Sequence, residues 1–545
     1  MQRLTCLALD ALRGGRNVYQ LHKHVTSEAT LLPNTLNALA LSSADVMALD
    51  RNSEYLGVST LQLMENAGRS VTDEIAARFG RGSAVTVYAG TGKNGGDGAV
   101  AARHLASRGF KVTYRLVGDE LSIADSTSLQ NWKAVKRMCS SIKIEKCRDS
   151  TTLSESHSDV VVDALLGTGV RGKLRQPMLR AVEVINRSGG FKVAIDVPSG
   201  IDADTGEVLG EAVRANLTVT FHGAKRGFSK AKDYCGEIKV VDIGIPPEAS
   251  FLVGPGDVDL VTVRRSPDAH KGEFGRLLVI GGSEMFTGAP ALVALAAYRT
   301  GADLVFVAAP ENTAQAISTI SPDLITIKLP GKNLSTEHLL FLREQIVKAS
   351  AIALGPGLGL SKKTVLAVKR IVEFTRKEKK PILLDADGLN AMGLMKLRVF
   401  DGAAVVTPHA GEFQAISGKL PSKDLTTRST EVTALASKCG AVVLLKGHTD
   451  VISDGVRTKL NNTGNPGMTV GGTGDVLSGI VAGLLAQRVD AFSAAAAGSF
   501  VNGAAGDLAE EQYGYHLTAT DLIEHIPKVL NDPMCHKAIM EKRLR

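Results

Sequence analysis

The chain has 545 residues, and a single core rarely grows past roughly 250–300 residues, so two domains are expected. Its 44% hydrophobic and 22% charged content is that of a globular protein and excludes a disordered or fibrous chain. A formal charge of +7 with 4% aromatic residues and no basic cluster excludes a nucleic-acid surface, and no run of about 18 apolar residues is present to cross a membrane.

The first stretch differs from the rest. It carries Arg3, Arg13, Arg16 and Lys23 against only Asp10 and Glu28, with scattered Leu, Ser and Thr. That balance is similar to a mitochondrial transit peptide, the alternative being a disordered extension on a cytoplasmic protein. Residues 1–43 are therefore read as a leader. The six cysteines stand far apart and form no CxxC pair, which argues against a zinc ribbon or redox motif and for a reducing compartment.

Periodic structure begins at Ser42-Ser43-Ala44-Asp45, which offers helix caps ahead of Val46, Leu49 and Leu56. A second amphipathic helix is predicted from Thr60 to Phe79. Short apolar runs then alternate with helical stretches: Val85–Tyr88 as a strand, Ala99–Ser107 as a helix, Lys111–Val117, Val160–Val162 and Val193–Ile195 as strands. The alternation predicts βαβ units and a mainly parallel sheet. The pattern loosens around Pro246 to Pro267, which places a boundary near residue 250 and domains at 44–250 and 251–545. A second α/β series follows, with strands at Leu277–Ile280, Leu304–Val307, Ala351–Leu354, Ile382–Leu384 and Val442–Leu445.

In the first domain, Gly90, Gly92 and Gly95 have G-x-G-x-x-G spacing between a strand and a helix and continue into Asn94-Gly95-Gly96-Asp97-Gly98. Glycines there let backbone N–H groups approach a phosphate, and the helix N-terminus favours an anion. Asp163 and Asp196 each follow apolar strand residues, where a parallel sheet collects ligand groups; a turn cap is the alternative for each.

In the second domain, Gly471-Gly472-Thr473-Gly474-Asp475 precedes an apolar helix. The glycines form an anion hole, and Asp475 in the first helical turn is placed as a base or as a simple N-cap. Gly281-Gly282-Ser283, Gly355-Pro356-Gly357-Leu358-Gly359 and Asp385-Ala386-Asp387-Gly388 each follow a strand. The last would hold Mg2+ through water or cap a helix. His409 lies in a strand-to-helix loop, as a functional or a structural histidine.

The segments MENAG, GxGxNGGDG, DALLGTG and DVPSGID resemble the YjeF N-terminal family, the NAD(P)H-hydrate epimerases, over roughly residues 44–250. This resemblance implies a Rossmann-like three-layer α/β fold. It implies substrate contacts from Lys93, Asn94, Gly95, Gly96 and Asp97, from Gly167, Thr168, Gly169, Val170, Arg171, Gly172 and Lys173, and from Asp196, which would also do the acid–base work. Asn94, Asp163 and Ser199 would ligate K+ through oxygen. The chain departs at Lys93, where the family often has Asn; a lysine there adds a phosphate contact or alters the loop.

GGSxxxTGAP, GPGLG, DADGLN, TPHAGE, LKG and GNPGMxxGGTGD are similar to the YjeF C-terminal family, the NAD(P)H-hydrate dehydratases, over roughly residues 260–530. This implies a ribokinase-like α/β fold and hydrate contacts from Ala289, Gly357, Gly359, His409 and Asp475. Lys446, Gly447, His448, Thr449, Asp450 and Gly474 would contact ADP or ATP with Mg2+. Together the resemblances imply repair of NADH and NADPH hydrates: epimerisation of R and S forms, then nucleotide-driven dehydration of the S form, by a homo-oligomer. The rival reading is a ribokinase-type small-molecule kinase carrying a non-catalytic YjeF-type binding domain.

Overall fold

The computed structural model describes residues 40–543 apart from 264, 396–399 and 401–402. The leader segment through residue 39 lies outside the described residues. Residues 40–43, assigned to that leader by sequence, belong to the fold instead: Leu41 is buried and bridges to the Lys225 backbone, and Ser42 caps the first helix. The chain forms two compact units, 40–249 and 250–543. No described helix is long and apolar enough to cross a membrane.

The first unit opens with helices Ser43–Tyr55 and Thr60–Ala76, each started by a capping box, Ser42 with Asp45 and Ser59 with Gln62. Seven strands follow: β1 (Ala84–Ala89), β2 (Lys111–Val117), β3 (Ile142–Cys147), β4 (Val160–Ala164), β5 (Phe191–Ile195), β6 (Leu217–Phe221) and β7 (Glu237–Val241). They make one parallel sheet in the order β3-β2-β1-β4-β5-β6-β7. The central strands are buried on both faces, hence their near-continuous Val and Ala runs. Val85, Val87 and Ala89 join Val160 and Val162 in the core, and the Tyr114 and Trp132 rings stack at 5.7 Å between centroids. Strand order reverses between β1 and β4, and the crevice there is where a doubly wound sheet binds ligands.

One element begins earlier than its sequence suggests. The helix after β1 runs Lys93–Ser107, so the Asn-Gly-Gly-Asp-Gly segment forms its first turns rather than a preceding loop. Glycine is costly inside a helix, and here close packing demands it: a Cβ on Gly95 would lie 1.9 Å from the Gly90 carbonyl oxygen.

The second unit contains β8 (Arg276–Ile280), β9 (Leu304–Pro310), β10 (Ile325–Leu329), β11 (Ala351–Leu354), β12 (Ile382–Leu384), β13 (Ala404–Val406), β14 (Val442–Leu445), β15 (Asp450–Ser453) and β16 (Thr458–Asn461). The order is β10-β9-β8-β11-β12-β13-β14-β15-β16, parallel through β14 and antiparallel at the last two strands. Order reverses between β8 and β11. Helix Thr473–Ala486 is apolar around nearly its whole circumference because it is enclosed, packing against helices Gly288–Thr300 and Ala491–Tyr513. Its N-terminus meets the C-terminal ends of the central strands.

Candidate active sites

In the first unit, the β1/β4 switch point opens into a cavity of about 600 Å³. Lys93, Asn94 and Asp97 line it from the helix N-terminus, Gly167–Arg171 from the loop after β4, and Asp196 from the end of β5. Gly95 and Gly96 are buried in the first turns of that helix, while Gly172 and Lys173 continue their loop into solvent.

Asp196 has φ +64°, a left-handed conformation uncommon outside glycine. The turn lets its Oδ1 accept from Lys225 Nζ at 2.8 Å, Thr220 Oγ1 at 3.1 Å and the Phe221 backbone N–H at 3.3 Å. Lys225 is fully buried and also donates to the Phe221 and Gly223 carbonyls. Sequence patterns gave no reason to choose Lys225. Its only visible signal is a lysine just after a buried strand.

Deeper in the same region, Asn94 Nδ2 donates to the Leu166 and Ile195 carbonyls at 2.8 and 3.1 Å, leaving its Oδ1 buried with no hydrogen-bond partner. Asp163 Oδ1 accepts from Ser199 Oγ at 2.6 Å, and its Oδ2 from the Ser199 backbone N–H at 2.8 Å. Burial pushes Asp163 up to about 6, against the hydrogen bonds from Ser199. The structure thus brings Asp163 and Ser199 together, and the Leu166 carbonyl links them to Asn94, since Ser199 Oγ lies 3.3 Å from that oxygen. An orphaned amide oxygen, a carboxylate and a hydroxyl are a donor set that suits a hard monovalent cation.

Three further acids line the cavity, Asp50, Asp97 and Asp125. Burial, followed by the charges of Asp196 and Asp50, pushes Asp97 well above the usual carboxylate range. Asp50, from helix Ser43–Tyr55, is pushed up to about 6 by burial and by Asp196, with Lys93 opposing. Its position, far upstream of every glycine motif, hid it from sequence reasoning.

In the second unit, the motif residues gather at the C-terminal ends of β8 and β11–β14. Ala289 lies in the first turn of helix Gly288–Thr300. The loop after β11 is tied to both neighbouring strand ends: the Gly282 N–H donates to the Pro356 carbonyl at 2.8 Å, and the Gly359 N–H to Asp387 Oδ2 at 2.8 Å. Gly355 has φ +134°, and a Cβ there would lie 1.9 Å from the Asp385 carbonyl oxygen, so only glycine fits. Gly357 and Gly359 follow in the same loop, both also at positive φ.

Asp475 sits in the first turn of helix Thr473–Ala486, directly after the Gly471-Gly472 turn. Burial, then the Asp385 carboxylate, pushes it up to about 7, with Lys446 opposing. Asp385 is buried; its Oδ1 accepts from Lys446 Nζ at 2.9 Å and its Oδ2 from Ser478 Oγ at 2.7 Å. Lys446 Nζ also lies 3.9 Å from Glu412 Oε2. Burial works against the Lys446 charge, but Asp385 and Glu412 outweigh it and raise its pKa. Glu412 is itself raised by burial. Asp385 and Glu412 stand in motifs whose sequence names no partner for them, because their link to Lys446 is purely tertiary.

Residues 446–450 and His409 also carry structural bonds. Lys446 turns to the acids, while Gly447, His448, Thr449 and Asp450 form a separate hairpin turn in which the Gly447 N–H donates to Asp450 Oδ1 at 3.0 Å. His409 caps helix Ala410–Ser417: its Nδ1 accepts from the Gly411 and Glu412 N–H groups at 3.0 and 3.3 Å. That bond fixes the tautomer with the proton on Nε2, on an exposed ring. Gly474 lies beside Lys446, since a Cβ there would be 3.5 Å from Nζ. Among the described residues no three acidic, His or Cys side chains converge as a metal site, and both Asp385 oxygens are already engaged.

Comparison with known proteins follows this division. The family described as YjeF-related protein N-terminus matches residues 60–227, and NAD(P)H-hydrate dehydratase matches residues 277–528. A bifunctional NAD(P)H-hydrate repair enzyme of Hyperthermus butylicus is 46% identical over 499 residues, covering 91% of this chain and 93% of its own. One of the same description from Pyrobaculum aerophilum is 47% identical over 499 residues, covering 90% and 98%. A solved ADP/ATP-dependent NAD(P)H-hydrate dehydratase from Bacillus subtilis, co-crystallised with ATP and Mg2+, is 27% identical, covers 50% of this chain and 96% of its own, and has a TM-score of 0.43. With that identity sustained along nine-tenths of the chain, the protein belongs to the bifunctional NAD(P)H-hydrate repair enzymes, an epimerase domain joined to a dehydratase domain.

Proposed function

We propose that the two repair steps are carried by Asp196 in the first unit and Asp475 in the second, on NADH and NADPH hydrates as substrates. The hydrate bears a hydroxyl on the ring carbon next to nitrogen, and hydroxide is a poor leaving group. In the dehydratase site the observation that carries the reading is the setting of Asp475. It is a carboxylate poised near neutrality at a helix N-terminus, beside a glycine-rich anion cradle. It takes the proton of the S-hydrate hydroxyl as the terminal phosphoryl group of an adenine nucleotide is transferred to that oxygen. The cradle N–H groups hold the phosphoryl oxygens, and loss of phosphate restores the ring double bond. ADP is favoured over ATP by the sequence resemblance to fused two-domain members. Mg2+ would act at this site together with the nucleotide.

In the epimerase site the glycine turn and Lys93 receive the pyrophosphate, and Asp196, held by Lys225, moves the proton at the carbinol group. Asn94, Asp163 and Ser199 fit K+, which would supply fixed positive charge behind that pocket.

The test uses the full chain with mixed-epimer NADPH hydrate and either ADP or ATP, following NADPH absorbance. Complete recovery is expected. No recovery with either nucleotide defeats the dehydratase assignment, and recovery that stops when the S form is exhausted defeats the epimerase assignment.

A further inference from the structure

Epimerisation at a carbon bearing both hydroxyl and nitrogen needs a group that gives a proton and a group that takes one. Asp196 supplies one of these. Three other carboxylates line the same cavity: Asp50, Asp97 and Asp125. Asp125 is committed to capping, since its Oδ1 accepts from the Ser128 N–H at 2.8 Å and the Ser128 Oγ at 2.7 Å. Burial, with the Asp196 and Asp50 charges beside it, pushes Asp97 well above the usual carboxylate range. Asp50 differs from both. Among the described residues its carboxylate takes no hydrogen bond, and it stands on a regular helix fixed by the Ser42–Asp45 capping box.

We propose that Asp50 is the second proton-transfer residue of the epimerase site, acting on the carbinol hydroxyl as the acid to which Asp196 is the base. The assignment rests on the reading of Asp196 above. In the step, Asp50 gives its proton to the hydroxyl, the C–O bond breaks and water leaves. The ring-nitrogen lone pair closes a C=N double bond, making the carbon planar. Water then adds to the opposite face, a new C–O bond forms, and Asp196 takes the released proton. Atoms balance with one water lost and one gained, and the proton returns from Asp196 to Asp50 through solvent. In the reverse direction the two residues exchange roles.

The environments of the pair are complementary. Asp196 is ion-paired with buried Lys225, whereas Asp50 is pushed up to about 6 by burial, with Lys93 and the more distant Lys225 opposing. Pairs of carboxylates held in opposite states by their surroundings are how acid and base are divided at one pH. The charged and titratable groups around Asp50 among the described residues are Lys93, Asp97, Asp125, Arg171, Asp196 and His222 on the cavity wall, with Lys225 behind Asp196.

The experiment measures conversion of R to S NADPH hydrate by chromatography, without nucleotide, in the full chain. Asp50→Asn is expected to lower kcat by about 100-fold, the usual scale for one acid–base group, while dehydration of the S form stays within about twofold. Asp50→Glu is expected to restore part of kcat and to move the pH limb expected near 6 in the parent. Epimerisation at the parent rate in Asp50→Asn, with Asp196→Asn inactive, overturns the role of Asp50 alone. Parent rates in both variants overturn the site reading beneath it. A loss seen only in KM, or equal loss in Asp50→Asn and Asp50→Glu with no movement of the limb, assigns Asp50 a structural role and overturns the proposal.

Discussion

The Lys446 ammonium lies 2.9 Å from Asp385 Oδ1 and 3.9 Å from Glu412 Oε2, at a site where Asp475, the residue proposed to take the proton, is repelled by those same two acids. One cation therefore offsets three carboxylates. Its place at the end of β14, with its backbone N–H bonded to the Pro408 carbonyl at 2.9 Å, ties the loop after β13 to the DADG turn and the GTGD helix. Lys446 therefore lowers the proton affinity of Asp475 against the pull of the two acids.

Replacing Lys446 by Met removes that charge. Asp475 loses the one neighbour that lowers its pKa, so the acidic limb of the dehydration rate shifts above its parent position near 7. At pH 7 the expected loss in kcat/KM is about 10- to 100-fold, recovered in part at higher pH. A direct nucleotide contact would instead raise the nucleotide KM and leave the limb in place. Initial rates against pH separate the two.

Asp475 must be ionised to take a proton, so dehydration falls as pH drops below about 7, and Asp475→Asn abolishes it while sparing epimerisation. The same group costs stability. Its folded pKa lies above the unfolded one, so the folded chain holds the proton more tightly, and stability declines as pH rises from about 4 to about 7. Asn never ionises and escapes this decline. Asp475→Asn should therefore gain about 2–4 °C in the Tm of the dehydratase unit at pH 8, the gain vanishing near pH 4. Equal melting of both proteins at pH 8 would defeat the argument.

Much of this site was legible because the chemistry lies in short contiguous segments. Asp475 follows its own anion cradle in sequence, and the strands of the parallel sheets announce themselves as β-branched runs. What escaped was set by tertiary packing. Lys446 faces Asp385 across 61 residues, and Asp50 reaches the cavity from a helix whose sequence carries no ligand motif. The helix start at Lys93 escaped for a local reason: Gly95, Gly96 and Gly98 read as loop by propensity, yet they pack against Gly90, Met64 and Ala164 respectively, where a side chain would crowd its neighbour. His409 caps helix Ala410–Ser417 through Nδ1, a bond that its sequence setting does not announce.

The orphaned Asn94 Oδ1 makes the cation reading testable without turnover. A buried acceptor lacking a partner costs about 1–3 kcal/mol, and a bound ion removes that cost. Raising KCl in place of choline chloride at fixed ionic strength should raise the Tm of the epimerase unit in proportion to ln(1 + [K+]/Kd). Asn94→Ala deletes the oxygen and should flatten the response. A Tm that ignores K+ in the parent would remove the site.

The GNPG segment of the dehydratase unit depends on an acid that no motif contains. Asp507 is fully buried, and its oxygens accept from the Gly464 N–H and Asn465 Nδ2 at 2.9 Å each, and from His536 Nε2 and Arg543 at 2.8 Å each. Burial opposes its ionisation, but His536 and Arg543 hold it below the ordinary carboxylate value. A depressed carboxylate stabilises the fold above its unfolded pKa of about 4, and that stabilisation is lost as pH falls through the folded value. Asp507→Asn removes the charge while leaving Arg543 in place, and such one-sided loss of a buried pair costs about 3–5 kcal/mol. The variant should melt earlier in its dehydratase unit at pH 7, with the deficit shrinking below pH 4. It should also lose dehydration rate, because the loop leading to Gly471 and Asp475 is no longer anchored to the C-terminal helix. Epimerisation in the same preparation is the internal control. If both activities fell together, the damage would be to the whole chain rather than to this anchor.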